Sequence, residues 1–391
     1  MKIILSKIRT FSRWLAILLG FDTLVLWTCR KKSSPPAGAI FCLHGLGDLL
    51  LAGQAIDGLH KYYRQQGLTS VLFVPEWLAG FARRYFEVDR VEGIIVKNFR
   101  NQLDYRAVVL RSIAGRFHIA VQPTYNRLMM IEDALMRATG ARHRIGSGGH
   151  APFIRPLERW FGDRFYTQLI RQRQGPMNEL ARYAEFMAGM GLTVPAEPWR
   201  LAEPGRAGCP LTLPAAAFMV VCPHSSDPRR DWPLEQFLRA AQEIAAEHML
   251  AIVVVGMAAA HRPLPWPDTG LSAGEVVDLR GQFPTEDLPA VLAGAKLILA
   301  NDSGAYHLGV SLDRPTLAVG GSGMPHRYYP YPPNTGERAR VLYQPVPCAG
   351  CTWRCRHPGS TRRTYWCLSL IAWPEAVAAA RELLRPAGVA A

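Results

Sequence analysis

The chain has 391 residues, of which 49% are hydrophobic and 19% are charged. This composition excludes a disordered chain, and the length predicts two domains of roughly 150 to 200 residues each, because one ordinary core does not grow so large. The formal net charge of +14 favours an acidic partner, such as an anionic membrane, nucleic acid or a phosphorylated substrate, although an arginine-rich composition alone would also produce it.

Residues 1–38 are predicted to form a basic amphipathic segment followed by a linker. Four basic residues lie at its start: Lys2, Lys7, Arg9 and Arg13. The apolar run that follows is interrupted by Asp22 and falls short of about 20 uninterrupted apolar residues, so it does not predict a membrane span. We expect a helix lying on an anionic membrane, and a signal-like segment or a misplaced start is the alternative.

A strand, a glycine turn and a helix are predicted at the start of the first domain, which we place at residues 39–205. Ala39 to Leu43 is the strand, and the helix runs from about Leu49 to Tyr63. The turn between them lacks the full GxGxxG fingerprint and is weak evidence for a dinucleotide. Asp48 ends this turn, where it could cap the helix or act in catalysis.

Further elements of the first domain follow the same alternation. A helix is expected at about 128–140, and Arg142 and Arg144 cluster with a histidine just after it, where they could face an anionic acceptor or simply solvent. Additional strands are expected at 71–75, 91–96, 105–110 and 117–121.

The second domain, placed at residues 206–391, opens with the strand Ala217 to Cys222, a polar loop and a helix from Leu234 to His248. Strands and helices alternate to its end, which predicts a doubly wound parallel sheet. The stretch 297–323 reads as strand, turn, helix and strand, with Asn-Asp-Ser-Gly at the turn. Such a turn lies at the carboxyl edge of a parallel sheet, where a helix start offers free N–H groups to a phosphate.

Four of the eight cysteines lie close together near the C-terminus, with CxxC and CxxxC spacings and then a gap of eleven residues. Thiolates at such spacings could hold a structural zinc ion, and reduced cysteines that only pack are the alternative. A reduced, cytoplasmic protein fits this cysteine usage best. The four are Cys348, Cys351, Cys355 and Cys367.

Three motifs follow one another along the chain: GDLLLA from Gly47, a loop that ends in basic-x-Trp-Pro from Arg230, and Asn-Asp-Ser-Gly-x-x-His from Asn301 to His307. PTLAVGG and the cysteine-rich tail ending in CLSLI accompany them. Together they resemble the heptosyltransferase family of glycosyltransferases over residues 39–384. The resemblance implies an α/β GT-B fold, with two Rossmann-like doubly wound parallel-sheet domains facing across a cleft. It also implies that the first domain holds the acceptor and the second a nucleotide-sugar.

The resemblance also implies roles for individual residues. Asp48 matches the catalytic aspartate, which would take the proton from the acceptor hydroxyl as that oxygen attacks the anomeric carbon. Inversion is then expected, because one direct displacement places the acceptor oxygen opposite the departing diphosphate. Arg230 stands where relatives commonly carry lysine and could grip the leaving diphosphate with two parallel hydrogen bonds, a task that Arg229 could share. The candidates for donor binding are Arg230, Asp302, Ser303, Gly304, His307 and, through its hydroxyl, Ser225. The candidates for acceptor binding are Gly47, Arg142 and Arg144.

We therefore expect an inverting glycosyltransferase that transfers heptose from ADP-heptose to a lipopolysaccharide core or a related lipid-linked saccharide. The resemblance implies peripheral association with the cytoplasmic face of the inner membrane. We expect the transfer to require no cofactor, and the zinc ion considered above would be structural. Three rival hypotheses remain: another nucleotide-sugar with a different surface glycan, a non-catalytic binding protein that kept the fold, and nucleic-acid binding through the basic surface.

Overall fold

The computed structural model describes residues 11–29, 36–149, 154, 156–202, 211–257, 264–265, 275–333 and 335–385. The chain divides into two compact units, which we call the N-terminal and C-terminal units. The N-terminal unit comprises Met1–Gly45, Ala52–Gly175 and Ala181–Ala196, and the C-terminal unit comprises Leu46–Leu51, Pro176–Leu180 and Glu197–Ala391. Asp48 therefore belongs to the C-terminal unit, although the sequence around it belongs to the other.

The N-terminal unit is built on a parallel six-stranded sheet. Its strands are β1 Ala37–Phe41, β2 Thr69–Pro75, β3 Arg90–Ile94, β4 Phe117–Gln122, β5 His143–Ser147 and β6 Gln168–Ile170. They lie in the order β3-β2-β1-β4-β5-β6, so the chain reverses its direction of winding between β1 and β4. The central strands are almost wholly buried, as expected for a parallel sheet covered by helices on both faces.

The C-terminal unit repeats this topology. Its strands are β7 Phe218–Cys222, β8 Ala251–Val254, β9 Val276–Asp278, β10 Leu297–Asn301, β11 Thr316–Val319 and β12 Ala339–Leu342. Their order is β12-β11-β10-β7-β8-β9, all parallel, with the reversal between β7 and β10. Two Rossmann-like doubly wound sheets confirm the predicted fold class.

Helices connect the strands of both units. In chain order they are α1 Asp22–Trp27, α2 Leu46–Leu51, α3 Gly53–Gln65, α4 Ala79–Tyr85, α5 Val96–Asn101, α6 Leu103–Ile113, α7 Ala134–Thr139, α8 Pro156–Gly162, α9 Glu179–Gly189, α10 Leu234–His248, α11 Leu288–Ala293, α12 Gly304–Ser311, α13 Trp366–Ser369 and α14 Trp373–Leu384. A π-helical segment, Ala16–Phe21, leads into α1, and another, Met129–Asp133, leads into α7.

The strand predicted at 105–110 is wrong, because these residues lie inside α6. Ala107, Leu110 and Ile113 are buried at steps of three residues, which is the spacing of one helical face and not of a strand. The apolar run was too short for its periodicity to distinguish a helix from a strand.

Residues 11–27 form an N-terminal helix that packs on the core of the N-terminal unit. Leu18 and Val25 are buried against that core, and Asp22 is buried in an ion pair with Arg106. In the part of the chain that the structure describes, no helix is long and apolar enough to cross a membrane. Lys2, Lys7, Arg9, Cys209 and most of the predicted linker lie outside the described residues.

Candidate functional site

The C-terminal unit places two loops side by side where its sheet reverses direction. One follows β7 and contains Arg230, and the other is the Asp302-Ser303 turn after β10. Asn301 joins them, because its amide nitrogen donates to the carbonyl oxygen of Pro223 at 2.7 Å and its amide oxygen accepts from the backbone N–H of Trp232 at 2.9 Å. Ligands of open α/β sheets bind at this kind of crevice.

Three polar atoms beside this crevice are buried without a hydrogen-bond partner among the described residues. They are Asp302 Oδ2, Ser303 Oγ and Arg230 Nε. Helix α12 begins directly after them at Gly304, and Ser303 does not cap it with its side chain. Buried polar atoms in folded proteins nearly always have a hydrogen-bond partner, so a group that lacks one beside a helix start fits a site that a polar, anionic ligand completes.

Arg230 is the cation at this turn. Its Nη1 atom lies 4.0 Å from Asp302 Oδ2, its Nη2 atom donates to Ser226 Oγ at 2.9 Å, and its guanidinium lies 5.4 Å from the ring centroid of Trp353. Trp353 is separated from Arg230 by more than a hundred residues of sequence, so no local pattern predicts this support.

The neighbouring Arg229 is held elsewhere. Its guanidinium donates to both carboxylate oxygens of Asp227, at 3.1 and 2.8 Å, and lies over the ring of Tyr365. The sequence considered both Arg229 and Arg230 as partners of the leaving diphosphate. Of these two, Arg230 is the one that is paired with the Asp302 turn.

Helix α2 brings Gly47 and Asp48 against α12 within the C-terminal unit. A Cβ atom at Gly47 would lie 2.6 Å from Cδ2 of His307, so this close approach requires glycine. Gly47 therefore packs against His307, a role that the sequence did not indicate when it predicted contact with an acceptor.

Burial and the nearby Asp48 carboxylate set the charge states of two residues on this helix and turn. Burial lowers the pKa of His307 to about 4, although Asp48 opposes the shift, so the imidazole is neutral at pH 7. Burial also raises the pKa of Asp302 to about 6, with Arg230 lowering it and Asp48 raising it further. Asp48 thus lies close enough to act electrostatically on both.

Tyr331 holds the imidazole of His307 in place. Its hydroxyl lies 2.8 Å from His307 Nδ1; the imidazole is buried and the tyrosine is half-buried. If the hydroxyl donates to Nδ1, the neutral ring carries its proton on Nε2, as a donor for a ligand. The sequence predicted His307 but not Tyr331, which lies 24 residues further along the chain.

A buried ion pair between Arg327 and Glu179 lies within electrostatic reach of Asp48. Arg327 donates to both carboxylate oxygens of Glu179, at 2.8 and 3.1 Å, and the backbone N–H of Glu179 donates to the carbonyl oxygen of Arg327. Burial lowers the pKa of Arg327, but Glu179 and, more weakly, Asp48 raise it overall. The pair joins residues 148 positions apart, which explains why no motif predicted it.

Two of the other predicted residues have structural partners. Ser225 donates from its hydroxyl to the carbonyl oxygen of Asp227 at 2.8 Å, and so shapes the loop. Arg144 donates to the carbonyl oxygens of Phe165 and Ala141, both at 2.6 Å.

Arg142 is exposed, and it and Arg144 lie at the amino-terminal end of β5, whereas sheet ligands bind at the carboxyl ends. Gly47 belongs to the C-terminal unit, whereas these two arginines belong to the N-terminal unit. Their contact with an acceptor stays a prediction.

The four C-terminal cysteines line one small cavity together with Trp353 and Tyr365. Burial raises the pKa of the Cys351 and Cys367 thiols, which favours the protonated form. Among the described residues, no three His, Cys, Asp or Glu side chains are grouped so as to hold a metal ion. Zinc at this cluster stays a prediction.

Residues 134–356 match the family model of glycosyltransferase family 9 (heptosyltransferase). The fold is similar to that of a family 9 glycosyl transferase from Veillonella parvula DSM 2008, at 20% identity and a TM-score of 0.67, covering 89% of this chain and 97% of that one. It is also similar to E. coli ADP-heptose lps heptosyltransferase II, at 18% identity, 89% and 98% coverage and a TM-score of 0.62. E. coli heptosyltransferase WaaC with ADP gives 19% identity, 89% and 99% coverage and the same TM-score. The comparison with curated proteins found no match.

Proposed function

The chain belongs to glycosyltransferase family 9, and from that premise we propose that it transfers heptose from ADP-heptose to a lipopolysaccharide core or a related lipid-linked saccharide. The proposed place of this reaction is the cytoplasmic face of the inner membrane, where the enzyme would be peripherally bound. Its net charge of +14 suits a donor diphosphate and a phosphorylated acceptor, which are both anionic.

The observation that carries the proposal is the set of buried atoms on Arg230, Asp302 and Ser303, beside the start of α12, that have no hydrogen-bond partner among the described residues. In the proposed complex, the guanidinium of Arg230 and the free N–H groups of α12 hold the donor diphosphate. Since the pKa of Asp302 is about 6, its carboxylate is mostly ionised at pH 7 and can accept hydrogen bonds from sugar hydroxyls.

Asp48 is the proposed general base. Its carboxylate takes the proton of the acceptor hydroxyl as that oxygen forms a bond to the anomeric carbon. The bond from the anomeric carbon to the diphosphate oxygen breaks on the opposite side, so the product has inverted configuration. The charge that develops on the diphosphate is stabilised by Arg230, which is already placed at the turn.

A donor panel tests the proposed substrate. We expect ADP-heptose to raise the unfolding temperature more than UDP- or GDP-sugars, because a ligand at 100 times its Kd stabilises the folded state by about 2.7 kcal/mol. Thermal unfolding measured with each donor at equal concentration makes the comparison. A larger shift with UDP-sugars would refute the assignment of ADP-heptose but not membership of the family.

Replacement of Arg230 tests how the leaving group is stabilised. Arg230→Ala should reduce kcat/KM about 10²- to 10³-fold, because it removes a positive charge that faces the developing diphosphate. Arg230→Lys should retain more activity, since lysine keeps the charge but not the bidentate geometry. Arg229→Ala is the matched control and should change kcat/KM less than about threefold, because Arg229 is paired with Asp227. Equal losses in Arg229→Ala and Arg230→Ala would contradict the assignment.

A further inference from the structure

The outer face of the N-terminal helix is apolar, although it points away from the core. Leu24 and Trp27 are 60% and 83% exposed, whereas Val25 between them is buried. Only one charged residue, Asp22, lies between Trp14 and Thr28, and it is buried. A helix that is apolar on both faces needs apolar surroundings on both, and among the described residues none covers the outer face.

Helix α8 lies beside this helix and extends the apolar surface. The rings of Phe11 and Phe161 are 5.9 Å apart, which brings the two helices together. On α8, Leu157 and Trp160 are 60% and 56% exposed, and the guanidinium of Arg164 lies 3.6 Å from the centroid of the Trp160 ring. Exposed tryptophans with arginines beside them are typical of surfaces that lie at the boundary between lipid and water. We call Leu19, Leu24, Trp27, Leu157 and Trp160 the apolar face.

The charges around the helix indicate what covers this face. Within the first 35 residues the only acidic side chain is Asp22, which is buried and paired with Arg106. A second copy of the chain would bring basic segments against each other, whereas anionic lipid headgroups would neutralise them. The basic residues that flank or lie on the helix in sequence are Lys2, Lys7, Arg9, Arg13, Arg30, Lys31 and Lys32.

We propose that the apolar face docks on an anionic lipid bilayer, with the N-terminal helix lying in the plane of the headgroups. The Asp22–Arg106 ion pair, with contacts of 2.6 and 2.7 Å, fixes the helix to the N-terminal unit, so docking holds that unit at the bilayer surface. The inference deepens the proposed function, because it names the surface by which the enzyme reaches a lipid-linked acceptor.

Co-sedimentation of the full chain with vesicles tests the proposal without donor or acceptor. We expect binding to phosphatidylcholine vesicles that contain phosphatidylglycerol, weaker binding at high salt, and little binding to phosphatidylcholine alone. Leu19→Ser/Leu24→Ser/Trp27→Ser should reduce the partition coefficient at least about tenfold. The matched control is Met249→Ser/Met257→Ser/Leu370→Ser, which changes exposed apolar residues of the C-terminal unit and should bind like wild type.

A second measurement does not depend on the folding of the triple variant. Brominated lipid should quench part of the tryptophan emission of wild type, and Trp27→Phe should remove a share of that quenching while still binding vesicles. Wild-type binding by the triple variant would overturn the proposal. A second result would also overturn it: the wild-type chain is a dimer that does not bind vesicles, and the triple variant is a monomer. The donor panel is measured without lipid, so a failure of vesicle binding would leave the proposed reaction untouched. A failure of the donor panel would likewise leave the proposed membrane surface untouched.

Discussion

Asp48→Asn should reduce kcat about 10²- to 10⁴-fold, which is the usual contribution of a general base. The asparagine side chain has nearly the same shape as aspartate but does not take up the proton of the acceptor hydroxyl. The donor should bind with nearly unchanged affinity, because the groups proposed to hold the diphosphate are Arg230 and the start of α12. Turnover with saturating donor and acceptor measures the first quantity, and the donor-induced shift of unfolding temperature measures the second.

The matched control for this change is Asp104→Asn, an exposed aspartate in the first turn of α6. It should leave both kcat and donor binding unchanged. If Asp48→Asn retained more than about a tenth of wild-type kcat, Asp48 would not be the base. A large loss of donor affinity in Asp48→Asn would instead place its carboxylate in the donor site, since the negative charge of Asp48 raises the pKa values of Asp302 and His307.

The parts of the site that sequence predicted are the parts that local chemistry specifies. A turn such as Asp302-Ser303-Gly304 between an apolar strand and a helix must lie at the carboxyl edge of a parallel sheet, wherever the rest of the chain goes. The loop with Arg230 follows the first strand of its domain, and β7 pairs with β10. Local sequence and sheet topology therefore sufficed to bring the two loops together.

The parts that sequence did not predict depend on contacts between distant segments. Trp353 lies under Arg230, Tyr331 holds His307, and Glu179 pairs with Arg327, and each contact forms only after the chain has folded. Sequence also did not predict that His307 would be neutral, because burial is the main cause of its lowered pKa. A single sequence carries no direct signal for such burial.

Asp22→Ala should lower the free energy of unfolding by about 3–5 kcal/mol, the second large effect that we expect. Asp22 accepts hydrogen bonds from Arg106 Nε at 2.7 Å and Nη2 at 2.6 Å, and both side chains are almost fully buried. Arg106 also donates to the carbonyl oxygens of Phe99 and Met130. These carbonyls do not neutralise a cation, so removal of Asp22 leaves an uncompensated buried charge. Denaturant unfolding measures the difference.

An exposed pair and a double variant separate loss of the ion pair from loss of packing. Glu247→Ala removes the partner of Arg381 at the surface and should cost only about 0–1 kcal/mol. Asp22→Leu/Arg106→Met removes both buried charges and should recover most of the stability that Asp22→Ala loses. A cost below about 1 kcal/mol for Asp22→Ala would mean that the pair is hydrated and not buried.

In sequence Asp22 only interrupts an apolar run, but with Arg106 opposite it the same carboxylate fixes an otherwise apolar helix to the N-terminal unit. Its loss should therefore weaken vesicle binding and stability together, whereas Trp27→Ser, which removes an exposed apolar ring, should weaken vesicle binding alone.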